Sequence, residues 1–247
     1  MSYRSLWVAL MAVALFAPAT GFADTLSAHQ FAVMAEQTVP VRPSPAVVSA
    51  AAPILDELHR VRLEQSRLPP PRTDAERLRR MGALDAAPRT GIAKIRWTAL
   101  APNDAKIVSA ILDVGLDDVD SSNQRQLLAM VPLEGWFGER RYGLEASEAA
   151  FHIVQHADLA TQQRFLPVLQ RFVERGDARP FEFAKMFDRV AIRQGRPQRY
   201  GTQFQCENHH WVVAPLEAPE QVDTRRVAIH MSETFAQTTA RLTASDC

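Results

Sequence analysis

Three observations predict a mainly α protein: apolar residues recur at helical spacing over most of the chain, helix-start signals follow proline clusters, and β-rich runs occur only late. The expected architecture is a helical domain with one short β-hairpin near the C-terminus. The 247 residues divide into a leader (1–23), a loosely ordered lead-in with one helix (24–72) and the helical domain (73–247).

In the leader, Arg4 precedes an apolar stretch of 12 residues, Leu6 to Ala17, and small residues follow at Ala17-Pro18-Ala19 and Gly21-Phe22-Ala23. This pattern predicts a secretory signal peptide cleaved after Ala23, and hence a secreted or periplasmic protein. A bilayer needs about 20 apolar residues and no second stretch is long enough, so stable membrane insertion after cleavage is not expected. Losing Arg4 leaves 27 basic residues against 28 acidic ones. A chain so close to neutral has no long-range field for nucleic acid, which is excluded as an expected partner. The basic pairs Arg79-Arg80 and Arg225-Arg226 read as solvated helix faces.

In the lead-in, Pro40, Pro43 and Pro45 suggest a tether, and Ala50 to Arg67 carries Ile54, Leu55, Leu58, Val61 and Leu63 largely at helical spacing. Pro69-Pro70-Pro71 stops that helix. Thr73-Asp74-Ala75-Glu76 is a capping box that starts the next near Asp74, with a domain boundary near residue 70.

Two helices are then expected, Asn103 to Val114, closed by Gly115, and Ser121 to Met130. Between them Asp117, Asp118 and Asp120 form an acidic loop that lacks the central glycine and distal glutamate of a calcium loop, so Asp120 or Ser121 is read as a helix cap. Gly135-Trp136-Phe137-Gly138 reads as a packing corner. Along Leu144 to Asp158, Ala150, Phe151, Ile153, Val154 and Ala157 share one arc, and Glu148, His152, Gln155 and His156 the opposite one. Asp158 falls at the helix end on the apolar side, where a carboxylate must find donors. A helix from Gln162 to Glu174 contains Pro167 and is expected to kink there or start later. Phe181 to Gln194 turns Phe183, Ala184, Phe187, Val190 and Ala191 inward before Gly195.

Arg199 to Gln205 and Trp211 to Leu216 are the expected strands, joined by Cys206 to His210. Pro219 opens a helix with Val222, Arg225, Arg226 and Ile229, and Ser232 caps a last one through Leu242. In an exported protein Cys206 and Cys247 are expected to form a disulfide, closing 42 residues. Chain entropy values such a loop at about 4 kcal/mol.

One polar constellation stands out: His156, Asp158, Asp188, Arg189, Gln198, Tyr200, Thr202 and Gln203. Around it, words occur in a fixed order: Leu84-Asp85 with Arg89, Asp120 with Asn123, Gly135-Trp136, Gln155-His156-Ala157-Asp158, Asp188-Arg189-Val190, Gln198 with Tyr200-Gly201-Thr202-Gln203, and Val222-Asp223 with Arg226. Over about residues 74–240 the chain resembles an uncharacterised bacterial family, the domain-of-unknown-function family numbered 6624. The resemblance implies no activity, substrate or cofactor. The chain departs from it at Phe137, where proline is common, at Met186-Phe187, where Tyr-Leu is common, and at His152, where an apolar residue is usual.

His152 and His156 at i and i+4, with Glu148 one turn earlier, have zinc-ligand types but not the HExxH order, and the His152 departure counts against a metal. His209-His210 adds no ligand spacing. No metal or cofactor is predicted. No G-x-S-x-G elbow is present, so a hydrolase would need His156 oriented by Asp158 or Asp188, with Tyr200 or a water as partner and Arg189 holding an anion. The alternative without chemistry is a satisfied polar network in an interaction protein, in which Asp188 with Arg189 or Arg226, Asp158 near a helix end and the amides of Gln198 and Gln203 lock the hairpin onto the helices. The preferred expectation is a site for a small polar ligand or a peptide end.

Overall fold

The computed structural model describes residues 43–207 and 210–243; the expected signal peptide, the first part of the lead-in, His209 and Cys247 lie outside the described residues. Among the described residues there are nine α-helices and one two-stranded antiparallel sheet near the C-terminus, which is the fold class the sequence predicts. The chain divides into two units. One runs up to Pro70 and includes Ala83–Val119; the other comprises Pro71–Gly82 and Asp120 onward.

In the first unit, α1 (Pro45–Ser66) begins ahead of the expected Ala50. Ser44 accepts a hydrogen bond from the Val47 amide at 3.2 Å, and Pro45 sits in the first turn. A proline read as part of a tether is thus a helix starter, because its missing N–H is one that no helical carbonyl would have received. Val47, Ile54, Val108 and Leu112 form the small core, with Ile92, Ile95, Trp97 and Leu100 packed on it. Asp85 and Arg89 pair along one helix face at 3.2 Å.

The helix α2 (Asp74–Ile92) starts where the capping box predicts. Thr73 Oγ1 accepts from the Glu76 amide at 3.1 Å, while the Glu76 carboxylate reaches back one residue further, to the Arg72 amide at 2.9 Å. One long helix, α3 (Pro102–Ala129), replaces the two expected over this stretch. Gly115 does not end it, and Asp117, Asp118 and Asp120 are helical, so neither an acidic loop nor a cap at Asp120 or Ser121 exists. A glycine inside a helix costs only about 1 kcal/mol, which the apolar stripe on either side outweighs.

The second unit holds the larger core. Here α4 (Glu139–Tyr142), α5 (Leu144–His156), α6 (Leu159–Glu174) and α7 (Pro180–Arg193) follow one another, with α6 packed against α7 and both touching α5. Phe151, Ile153 and Val154 of α5 are buried as their arc requires, but Gln155, assigned to the polar arc, is buried too. Trp136 and Phe137 are fully inside, edge-on to Phe165 and Tyr142 respectively, so the glycine-flanked turn is a packing corner. Pro167 does not delay α6, which starts at Leu159 and runs through it to Glu174. Its missing N–H would have served the carbonyl of Gln163, and both residues lie on the exposed face, where an unserved carbonyl is least costly.

The hairpin pairs β1 (Phe204–Glu207) with β2 (His210–Val213), in the register Phe204 to Val213 and Cys206 to Trp211. Both strands are shorter than expected and shifted toward the turn. Cys206 is therefore in a strand and not in the connection, while Arg199 to Gln203 is not strand at all. Beyond the hairpin come α8 (Val222–Ala228) and α9 (Phe235–Leu242). The cap of α9 is Thr234 and not Ser232, with a reciprocal bond between Thr234 and Gln237.

Candidate functional site

The word Gln198 to Gln203 is a loop wrapped around one carboxylate. Asp188, on α7, is completely buried. Its Oδ1 accepts from the amides of Arg199 at 2.8 Å and Tyr200 at 3.0 Å. Its Oδ2 accepts from the Thr202 amide at 3.0 Å and the Thr202 hydroxyl at 2.9 Å. These donors explain why the strand does not begin at Arg199: amides held by a carboxylate are not available to a ladder. Burial pushes Asp188 up from the ordinary carboxylate range, while the Arg199, Tyr200 and Thr202 donors pull it back. The Tyr200 amide is shared with Oδ2 at 3.2 Å, so both oxygens face only donors, a geometry that fits the ionised form.

Gln198 closes the other side of the loop. Its amide nitrogen donates to the carbonyls of Gln203 and Ala214, each at 2.9 Å, and its oxygen accepts from the Gln203 amide at 2.8 Å. Both amide donors and the acceptor are thereby used. Gln203 in turn donates to the Lys185 carbonyl at 3.3 Å and to Thr202 Oγ1 at 3.1 Å. Tyr200 packs edge-on to Phe187 and Phe183, with centroids 5.6 and 6.1 Å away, and burial raises its phenol above the usual range.

The third component is Arg226, which the sequence places on a solvated face and the structure buries to 1% exposure. Its guanidinium donates to the carbonyls of Tyr200 (2.8 Å), Gly201 (3.2 Å) and Glu233 (2.9 Å) and to Thr238 Oγ1 (2.8 Å). The fork of five donors thus holds the loop to α8 and α9 without a direct carboxylate partner among these bonds. A guanidinium at this depth is disfavoured by desolvation, and burial lowers its pKa. Gly201 lies at φ +65°, and a Cβ there would sit 2.5 Å from the Phe235 ring, so two independent constraints demand glycine.

His156, Asp158 and Arg189 belong to a different junction, the turn between α5 and α6. Asp158 is exposed and does not face a core; it is the N-cap of α6, accepting from the Thr161 amide at 2.7 Å. The side-chain amide of Gln124 grips it from both ends, donating to Oδ2 at 2.5 Å and accepting from the Asp158 amide at 3.1 Å. The Gln124 and Thr161 bonds hold the carboxyl below its ordinary range. Carbonyls at the C-terminal end of α5 are served by Arg189 (to Gln155, 3.4 Å), Arg193 (to Ala157, 2.9 Å) and the buried amide of Gln162 (to Gln155, 2.6 Å). Cations and an amide donor at a helix C-terminus answer its orphan carbonyls and its dipole. His156 is the last residue of α5, half-buried, with Nε2 3.3 Å from the Gln155 side-chain nitrogen and its ring 6.2 Å from that of His152.

The structure thus unites Asp188, Gln198, Tyr200, Thr202 and Gln203 in one network and puts His156, Asp158 and Arg189 at a helix junction. The candidate set omits Gln124 and Arg226, and the network alternative's direct pairing of Asp188 with Arg189 or Arg226 is replaced by loop donors to Asp188 and by Arg226 bonds to the Tyr200 and Gly201 carbonyls. Arg226 stands one turn after Val222 on the buried side of α8, and this spacing was the available signal. Gln124 gave none.

On the outer side of Thr202 lies a groove of about 410 Å³, lined by Phe181, Lys185, Thr202, Glu233, Thr238, Arg241 and Leu242. Glu233 and Arg241 pair across it at 3.1 and 3.3 Å, and Arg241 holds the Glu233 carboxyl below its ordinary range. Lys185 has no ion pair within 4 Å among the described residues. Burial, with Arg189 and Arg241 nearby, lowers its pKa.

Fold and site together define a helical domain with a loop locked by buried polar groups. The chain belongs to the family of unknown function DUF6624, whose profile matches residues 73–238. No curated protein and no solved structure matches it. No helix among the described residues is long and apolar enough to cross a membrane.

Proposed function

We propose that this protein is an exported, non-catalytic binding module that takes a small polar ligand or a peptide end in the groove beside Thr202. The observation that carries the reading is the double role of Thr202: its hydroxyl and amide are tied to Asp188, and its outer face lines the groove. The buried network then sets the position of a wall that a ligand touches, which gives polar side chains a reason to be there. The groove volume falls in the range of small-molecule sites, and its lining mixes apolar edges with a few charged and hydroxyl groups. A His/Asp base finds less support, because Asp188 is surrounded by amide donors and Asp158 caps a helix. The purely structural alternative rests on the same Asp188 bonds and differs in requiring no ligand in the groove.

The test is mass spectrometry of co-purified small molecules together with thermal stabilisation by a panel of metabolites and short peptides. Stabilisation that is lost when Leu242 is replaced by Ala at the groove wall supports binding. A panel with no stabilising compound and an empty purified protein supports the structural alternative. Export and a Cys206–Cys247 bridge belong to the same reading. N-terminal sequencing of exported protein is expected to begin at Asp24, and intact mass is expected to rise on reduction by two hydrogens; two thiols alkylated without reductant would refute the bridge.

A further inference from the structure

Lys185 is the informative residue of the groove. It projects from α7, next to the buried face that carries Asp188 and Glu182, and its own carbonyl is fixed by Gln203. The other charged side chains at the groove, Glu233 and Arg241, neutralise one another through a two-point contact. Thr238 is occupied by the Arg226 guanidinium. The charged groups acting on Lys185 from its surroundings are Arg189 and Arg241, which repel its ammonium, and Glu182, which attracts it from the same helix. Among the described residues the groove therefore has one cation without an ion pair, flanked by two others and set between the apolar edges Phe181 and Leu242.

A desolvated ammonium facing other cations is relieved by an anion, and a bond to a charged acceptor is stronger than one to a neutral acceptor. The apolar edges select against a small, fully hydrated ion and for an anion with a short hydrocarbon body. Resting on the reading of the groove as a binding site, we infer that it takes a carboxylate attached to a compact apolar group, with the carboxylate on Lys185 and the apolar group between Phe181 and Leu242. This chemistry is shared by free monocarboxylates and by peptide chains ending in an apolar residue.

The experiment is calorimetric titration of the purified chain with four probes: N-acetyl-leucine, N-acetyl-leucinamide, and a hexapeptide ending in leucine with its C-terminus free or amidated. The acid forms are expected to bind about tenfold or more tightly than the amides, the size of effect a charge-assisted bond supplies. Lys185→Met is expected to erase that preference with an unchanged melting temperature, and Lys185→Arg to keep it. Because Lys185→Met could alter folding, amide-shift titration of the unmodified protein is the second measurement, with changes expected at Thr202, Thr238 and Leu242. Acid and amide binding equally well overturns the carboxylate assignment and leaves a groove for neutral ligands. Failure of every probe to bind or to shift those amides overturns both. A free hexapeptide that binds more tightly than N-acetyl-leucine assigns the site to chain ends, and equal affinity assigns it to free carboxylates; both support the inference.

Discussion

Replacing Asp188 with Asn changes one atom and tests the lock directly. Asparagine keeps a single acceptor oxygen. If that oxygen takes the Arg199 and Tyr200 amides, the new NH₂ faces the Thr202 amide and hydroxyl, 3.0 and 2.9 Å from the atom it replaces. The hydroxyl can rotate to accept, but the Thr202 N–H cannot, and a buried donor without a partner costs about 1 to 3 kcal/mol. The remaining bonds lose their ionic assistance, which brings the expected total to about 3 kcal/mol. For a protein of this size that corresponds to a melting-temperature drop of about 6 to 12 °C. Urea titration followed by Trp211 fluorescence in β2 gives the free energy, and hydrogen exchange at Thr202 locates the damage. Asp158→Asn is the control: asparagine still caps Thr161 and loses only the exposed bond from Gln124, so a change within about 1 kcal/mol is expected. An Asp188→Asn protein that loses less than Asp158→Asn would refute the reasoning.

Two further outcomes follow from the geometry. Gly201→Ala is expected to destabilise by about 1 kcal/mol for the positive φ alone, and by more because Phe235 must move, as read by thermal melting; a neutral effect would mean the loop relaxes freely. Glu182 is 2% exposed, and burial pushes its carboxyl from 4.5 up to about 7 despite the Arg179 bonds at 2.6 and 3.0 Å. Since the folded protein holds this proton more tightly, the stabilisation is full below about pH 4.5 and is lost as pH rises through about 7. The change is about 3 kcal/mol from the linkage relation. Glu182→Gln is expected to flatten this window relative to the parent in urea titrations at several pH values; parallel curves would refute it.

What was legible in the sequence followed the strength of local signals. The α2 start was readable because Thr73 and Glu76 cap locally, and the buried arc of α5 because its stripe is dense. The joined α3 was not, because Gly115 is a stop signal only when the chain beyond it does not continue the stripe. The hairpin was found but misplaced: Arg199 to Gln203 has strand-like composition, and only the distant Asp188 shows that its amides are taken. Polar groups in a dense region mark Asp188, Gln198, Tyr200, Thr202 and Gln203, but polarity is only a compositional signal. It could not separate them from Asp158, whose partner Gln124 comes from 34 residues away. Composition likewise cannot tell a solvated arginine from Arg226.

The bonds of Arg226 also bear on the order in which the chain can become complete. Asp188 meets its partners within 14 residues, whereas Tyr200 and Gly201 wait for a guanidinium 26 and 25 residues further on. The Glu233 carbonyl and the Thr238 hydroxyl that complete that clamp come later still. A product terminated between Thr202 and Arg226 would have a loop fixed on one side and two carbonyls facing a vacancy on the other. The Tyr200–Gly201 turn is therefore held from both sides only once the chain reaches past Arg226.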